Sequence, residues 1–460
     1  MIIRLVNRTI SSLILITTIS FANIVHSQTS YIDYQSPFHS TISEGAMVAS
    51  QNHLSSEIGI EIIKKGGNAV DAAVAVGFSL AVTLPRAGNL GGGGFMLIYM
   101  KDRDEILAID YRSQSPEGLT TDQIFGVNLP DEYKKANRDI VRYGYKASTV
   151  PGTVSGLILA HSQFGKLPLE VVMRPAIEQA REGVSVSYDL EQAIASAPQL
   201  SWDPESKRIY FHEGKPLKRG EVMKRPDLAN TMNQISMNGL KGFYDGEVAE
   251  KIASSMAIND GEITTDDLKK YRARFTQPIG VNYRGNKVYT HGPPSGGGIV
   301  LLTALKVLEY FDLGKIGSNS ATSYHLIAEA LRRGHNNRSH HVGDPSFYSV
   351  PYDQLMSNKR IKSFAKSISL KEASLAKEVM PLSVLQESKN TTHYSIIDSE
   401  GNAVSNTYTL GYSFGSGVTI PGTGILMNNQ MNNFAYQYGN KSIKGRAASP
   451  GNEHAPGKRP

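Results

Sequence analysis

Two threonines, Thr391 and Thr409, are where chemistry can first be argued. Residues 391–397 and 403–409 are rich in β-forming side chains and flank Ser399-Glu400-Gly401-Asn402, a turn composition. A hairpin closed by a loop of three or four residues pairs positions whose numbers sum to about 800 or 801. Thr391 then lies opposite Thr409 or Leu410, and two hydroxyls meet if their side chains share a face. Thr–Thr pairs are also common as plain strand partners. The hairpin alone therefore leaves a structural and a nucleophilic role open. The chain has no cysteine, which excludes a thiol nucleophile and a thiolate metal site.

Other residue groups raise weaker possibilities. Gly91-Gly92-Gly93-Gly94 could suggest a phosphate cradle, but the GxGxxG spacing and a following Lys-Ser or Lys-Thr are both missing. His335, His340, His341 and Asp344 have the side-chain types of a metal site. His393, two positions after Thr391, has the chemistry of a base.

The elements that must position these residues follow from periodicity. Residues 49–65 predict an amphipathic helix ended by Gly66-Gly67, and residues 69–82 a helix apolar on all sides. Residues 95–100 and 105–110 predict a hairpin, residues 153–164 and 169–182 two helices, and residues 281–289 a strand. Pro293-Pro294-Ser295-Gly296-Gly297-Gly298 forms a sharp loop before helical stretches at 299–310 and 324–333. Long helical runs with short strands argue for a layered α/β or α+β fold, and no internal repeat is present.

The 460 residues are 40% hydrophobic and 20% charged, an ordinary globular composition, so stability rests on a large core without disulfides. Arg4 and Arg8 precede a mostly apolar stretch at 10–25 and a small-residue cleavage site ending at Ser27. This predicts a secretory signal over residues 1–27 and a secreted or periplasmic protein. Removing Arg4 and Arg8, with no acids, would lower the formal charge from +6 to +4. The basic pairs are scattered and no basic stripe carries interleaved aromatics, which excludes a nucleic-acid partner. No other window is suited to span a membrane.

A set of motifs narrows the choice. Asn390-Thr391-Thr392-His393-Tyr394-Ser395, Asp398, Gly401-Asn402-Ala403-Val404 and Thr407-Tyr408-Thr409-Leu410 resemble the γ-glutamyltranspeptidase family. So do Gly66-Gly67-Asn68-Ala69-Val70-Asp71, Gly91 to Phe95, Asp110-Tyr111-Arg112, Gly343-Asp344-Pro345 and Gly424 to Met431, in the family's order. The resemblance implies a four-layer α-β-β-α fold of the N-terminal-nucleophile hydrolases, α+β in class. It implies a precursor that cuts itself at Asn390–Thr391, giving a large-subunit segment at 28–390 and the start of a small-subunit segment at 391–460. Thr391 would be the nucleophile and Thr409 would orient its hydroxyl. Arg112 would grip the substrate α-carboxylate, with Thr409, position 411, Gln430 and position 433 completing the donor pocket. The reaction implied is γ-glutamyl transfer from glutathione or a similar amide to water, an amino acid or a peptide, with no cofactor and no metal. His393 and the His335–Asp344 group carry no role in the family, and the glycine run reads as close backbone packing.

Three departures qualify the resemblance. Gly411 stands where the family usually has Asn, and Asn432-Asn433 where it has Asp-Asp. Losing an anion and a second polar contact should weaken recognition of the substrate ammonium. The chain stops at Lys458-Arg459-Pro460, a tripeptide that in the family closely precedes a Ser-Ser pair for the α-carboxylate and a later Gly-Gly oxyanion hole. The sequence thus reads as a fragment of a longer precursor. Two alternatives stay open: an acylase of the same fold acting on glutaryl-type amides, and an inactive, unprocessed binding or structural homologue.

Overall fold

The sheet that carries the threonine hairpin is antiparallel and six-stranded, in a computed structural model that describes residues 41–125, 140–375, 379, 390–438, 441–443 and 449–460. The signal expected at residues 1–27 lies outside the described residues. Residues 45–460 form one unit, and Ser43 and Glu44 of the preceding unit are exposed.

The first element is not helical. Met47–Ala49 is a strand, β1, and helix α1 (His53–Lys64) starts only after Asn52, whose side chain accepts the Leu54 N–H at 3.0 Å. Helix α2 (Ala69–Thr83) is buried at every position, as its composition requires. Asn68 caps it, and Asp71 returns the bond by accepting the Asn68 N–H at 2.9 Å. β2 (Gly93–Met100) and β3 (Glu105–Tyr111) form the expected hairpin. Helices α3 (Thr153–Phe164) and α4 (Leu169–Glu182) match their sequence patterns. β4 (Arg274–Thr276) adds an edge strand.

Residues 281–289 are two strands rather than one. β5 (Ile279–Tyr283) and β6 (Asn286–Thr290) turn at Arg284 and Gly285, both at positive φ, which closes a tight hairpin. Helices α5 (Gly296–Leu308) and α6 (Ala321–His341) follow. The threonine hairpin is β7 (Thr392–Ile397) and β8 (Ala403–Thr409), and the sheet order is β1-β7-β8-β2-β3-β4.

Period-two alternation divides the sheet faces. Thr392, Tyr394 and Ile396 point into the core, and His393, Ser395 and Ile397 to the other side. The core face lies on α2 and α3, with α4 against α2. The Tyr394 and Tyr408 hydroxyls each donate to an α2 carbonyl, Ala73 and Gly77, at 2.9 Å. Such bonds contribute about 1 kcal/mol apiece and fix the hairpin's height on the helix. The turn is fixed by Asp398, whose carboxylate accepts the N–H groups of Glu400 and Asn402 and, at 2.9 Å, that of Ala69 in the first turn of α2. An anion there also suits the helix dipole. On the opposite face, Phe95 of β2 meets His291 just beyond β6, ring centroids 4.4 Å apart, and β5 packs on α5. The layers therefore run helix, sheet, hairpin, helix. Among the described residues no helix is long and apolar enough to cross a membrane.

Candidate active site

The register of β7 and β8 decides whether the two threonine hydroxyls meet. Thr392 pairs with Tyr408 and His393 with Thr407, so the opposed numbers sum to 800 and the next pair outward is Thr391 with Thr409. Thr391 stands just before β7, and its hydroxyl donates to Thr409 Oγ1 at 3.4 Å. The Thr409 hydroxyl in turn donates to the Asn390 carbonyl at 3.4 Å and accepts the Gly411 N–H at 3.0 Å. One buried hydroxyl thus touches Thr391, the carbonyl of the peptide bond preceding Thr391, and the loop beyond β8.

The loop around Thr409 is held from beneath. Gln430 is fully buried, and its side-chain N–H donates to the Thr409 carbonyl at 2.9 Å. Its oxygen accepts the Ser113 hydroxyl, and Ser113 accepts that of Thr149 at 2.6 Å. Asn428 ties Thr149 to the glycine run, donating to the carbonyls of Thr149 and Gly91 at 2.7 Å each. The glycines admit close backbone contact: a Cβ on Gly92 would lie 2.2 Å from the Thr409 carbonyl oxygen. No local sequence signal singles out Ser113, Thr149 or Asn428. Asn428 lies in a family motif, but nothing local reveals that it reaches Thr149 across the fold.

Thr391, Thr409, Arg112 and Asn433 line one cavity of about 550 Å³ between the sheet and the segment that follows β6. Arg112 follows β3, and its Nε donates to the Pro460 carbonyl at 2.9 Å. Asn433 is 4% exposed, and its side-chain nitrogen is buried without a hydrogen-bond partner among the described residues. Gly411 has φ +105°, and a Cβ there would meet the Asn429 side-chain oxygen at 2.2 Å. That oxygen accepts the Tyr412 N–H at 2.9 Å, so Asn429 fills the space beside position 411. Gln430 lies behind the cavity wall, bonded at both ends of its amide.

His393 faces away from the core and bonds the side chains of Thr407 and Ser395 at 2.7 and 3.0 Å. Burial lowers its pKa below the usual histidine value, which favours the neutral ring. Its bonds run along the sheet and do not reach Thr391. Among the described residues no group of three or more His, Asp or Glu side chains is placed to hold a metal.

The family profile of gamma-glutamyltranspeptidase matches residues 55–460. The chain is 41% identical over 427 residues to the glutathione hydrolase proenzyme of Escherichia coli K12, covering 92% of this chain and 72% of that one. It is 36% identical over 393 residues to the acylase ACY 1 proenzyme of Pseudomonas sp. SE83, covering 84% of this chain and 69% of that one. Among solved structures, Helicobacter pylori gamma-glutamyltranspeptidase superposes with a TM-score of 0.69 at 34% identity, over 77% of this chain and all of that chain.

Proposed function

We propose, from the premise that this chain belongs to the gamma-glutamyltranspeptidase family, that Thr391 is the nucleophile of a self-processing γ-glutamyl transferase and hydrolase. The observation that carries the reading is the contact chain Thr391–Thr409–Asn390 at the wall of the Arg112 cavity. In the precursor, the Thr391 oxygen adds to the Asn390 carbonyl carbon, and the Thr409 hydroxyl is placed to hydrogen-bond the oxygen on which charge collects. The C–N bond then breaks, the nitrogen takes a proton and an ester remains for water to hydrolyse. The products are a segment ending at Asn390 and one beginning with a free Thr391.

The same hydroxyl then serves turnover. An α-amine has a pKa near 8, so the new Thr391 amine can take the hydroxyl proton at neutral pH without a histidine. The hydroxyl oxygen attacks the substrate amide, the leaving amine takes the proton, and the acyl group passes to water or to an amine acceptor. The planar fork of Arg112 suits the donor's α-carboxylate. The expected segments are 28–390 and one that begins at Thr391, of which residues 391–460 are the start, exported behind the signal at 1–27.

Denaturing gel electrophoresis with intact-mass measurement tests the reading. The protein should give two bands whose masses place the cut at Asn390–Thr391, and Thr391→Ala should give one. A wild-type chain that stays single under conditions that fold it would sink the proposal.

Asn433 favours a second reading, in which the donor carries no α-ammonium. An unpartnered amide nitrogen seeks an acceptor, whereas an ammonium needs acceptors around it. A glutaryl amide would then compete well with a γ-glutamyl one. If so, Asn433→Asp should raise the preference for γ-glutamyl over glutaryl anilide by about tenfold or more, the worth of a charge-assisted hydrogen bond. A strong γ-glutamyl preference in the unaltered protein would remove this reading.

A further inference from the structure

We infer that Asp110 and Tyr271 are positioning residues for Arg112, and that they set the chain's selectivity for substrates bearing a carboxylate. The inference rests on the proposed role of Arg112 and on contacts outside the cavity wall.

Arg112 is fixed by its backbone on both sides. Its N–H donates to Asp110 Oδ1 at 2.9 Å, and its carbonyl accepts the Tyr271 hydroxyl at 2.7 Å. Both partners are buried, Asp110 at 0% and Tyr271 at 2% exposure. Neither lines the cavity, so neither is placed to touch a substrate there.

Asp110 is itself held by two cations from distant segments. Its Oδ2 lies 2.9 Å from Arg274 and 2.8 Å from Arg459. A second acid, Asp344, bonds the same two residues: Arg274 through its guanidinium at 3.2 Å and Arg459 through its backbone N–H at 3.0 Å. Two carboxylates thus balance two guanidiniums. Arg459 also donates to the Asp110 and Arg272 carbonyls and lies 5.3 Å from the centre of the Tyr271 ring. The network joins β3, the β4 region, the loop at 344 and the segment at 459 around one backbone residue.

Stability alone is a weak reason for such an arrangement, because well-packed apolar groups can replace a buried ion network without loss. A network does what apolar packing does poorly: it fixes orientation. A guanidinium binds a carboxylate through a planar fork, so a small rotation of the Arg112 backbone swings the fork away from its partner.

The test compares γ-glutamyl anilide with 4-aminobutyryl anilide, which lacks the α-carboxylate. In the processed protein, kcat/KM should favour the γ-glutamyl compound, and Arg112→Ala should abolish the preference. Tyr271→Phe keeps the ring, the Arg459 contact and the four charges. It should reduce the preference about tenfold, the scale expected of a modest misplacement, with the change carried by KM of the γ-glutamyl compound alone. Asp110→Asn should reduce it further, and where that variant fails to fold, Tyr271→Phe decides. If the unaltered protein shows no preference, the role of Arg112 and this inference fall together. If Arg112→Ala loses the preference while Tyr271→Phe keeps it, or loses activity on both compounds equally, this inference alone falls.

Discussion

Replacing Thr409 by Val removes one oxygen and keeps the shape, which makes it the sharpest probe of the proposed chemistry. The stability cost can be bounded from its contacts. The Gly411 N–H loses an acceptor at 3.0 Å, and an exchanged hydrogen bond is worth about 0.5–1.5 kcal/mol. The contacts to Thr391 Oγ1 and the Asn390 carbonyl are both 3.4 Å, too long to add much to stability. Thr409→Val should therefore lower the folding free energy by about 1 kcal/mol. Its effect on chemistry should be larger. Loss of orientation at a reacting pair costs on the order of 10²-fold in rate. Processing, followed as the decay of the single-chain band, and anilide turnover should both slow by about that factor. Thr409→Ser keeps the oxygen and loses one methyl, worth about 0.8 kcal/mol, and should process within a few-fold of the unaltered protein. If Thr409→Val processes at an unchanged rate, or if Ser is as slow as Val, the hydroxyl is not part of the reaction.

Two further predictions concern stability. Burial pushes the Glu329 carboxyl up, but hydrogen bonds from Ser374 and Arg333 outweigh it and bring the pKa down to about 2 from 4.5. Its contribution is complete above about pH 4.5 and is lost as pH falls towards 2, roughly 3 kcal/mol at 1.36 kcal/mol per unit. Burial lowers His454 to about 4 from 6.5, so the unfolded chain takes up that proton first, and stability falls as pH drops from 6.5 towards 4. Urea midpoints measured across this range should show two acid limbs. Glu329→Gln should flatten the lower one and His454→Gln the upper, and a flat profile above pH 4.5 would refute the His454 reading. Gly411→Ala should cost more than about 2 kcal/mol, because the residue has φ +105° and its new Cβ would lie 2.2 Å from the Asn429 oxygen. Adding Asn429→Gly should relieve the clash and recover part of the loss in urea titrations.

Local rules carried the hairpin far. The turn composition at 399–402 placed the opposed pair to within one residue, because a short loop leaves the register little freedom. The buried helix at 69–83 was legible because apolar residues occupy its whole circumference. The sequence pattern of helix α6 stops at 333, but the helix continues to His341, since its last two turns lack apolar periodicity. Buried polar contacts hold them instead, such as Asn337 donating to Thr303 at 3.1 Å. The helix expected from residue 49 begins later for a similar reason. Met47–Ala49 gains a partner in β7, about 350 residues away, and pairing overrides local propensity.

The site divides along the same line. Thr391 and Thr409 are neighbours through one hairpin, so short-range arithmetic finds them. Only the family resemblance points to Arg112 as a binding residue, and no local pattern points to what holds it. Asp110 stands two residues before it, but its use depends on Arg274, Asp344 and Arg459, which no local pattern connects. A charged residue two positions from a proposed binding residue looks like any solvated acid until burial shows that water is gone and that two cations have replaced it. The groups proposed to react are legible in sequence, because their chemistry is carried by residue type. The groups that aim them are carried by tertiary placement, and mutations in that second set should change selectivity before they change the reaction.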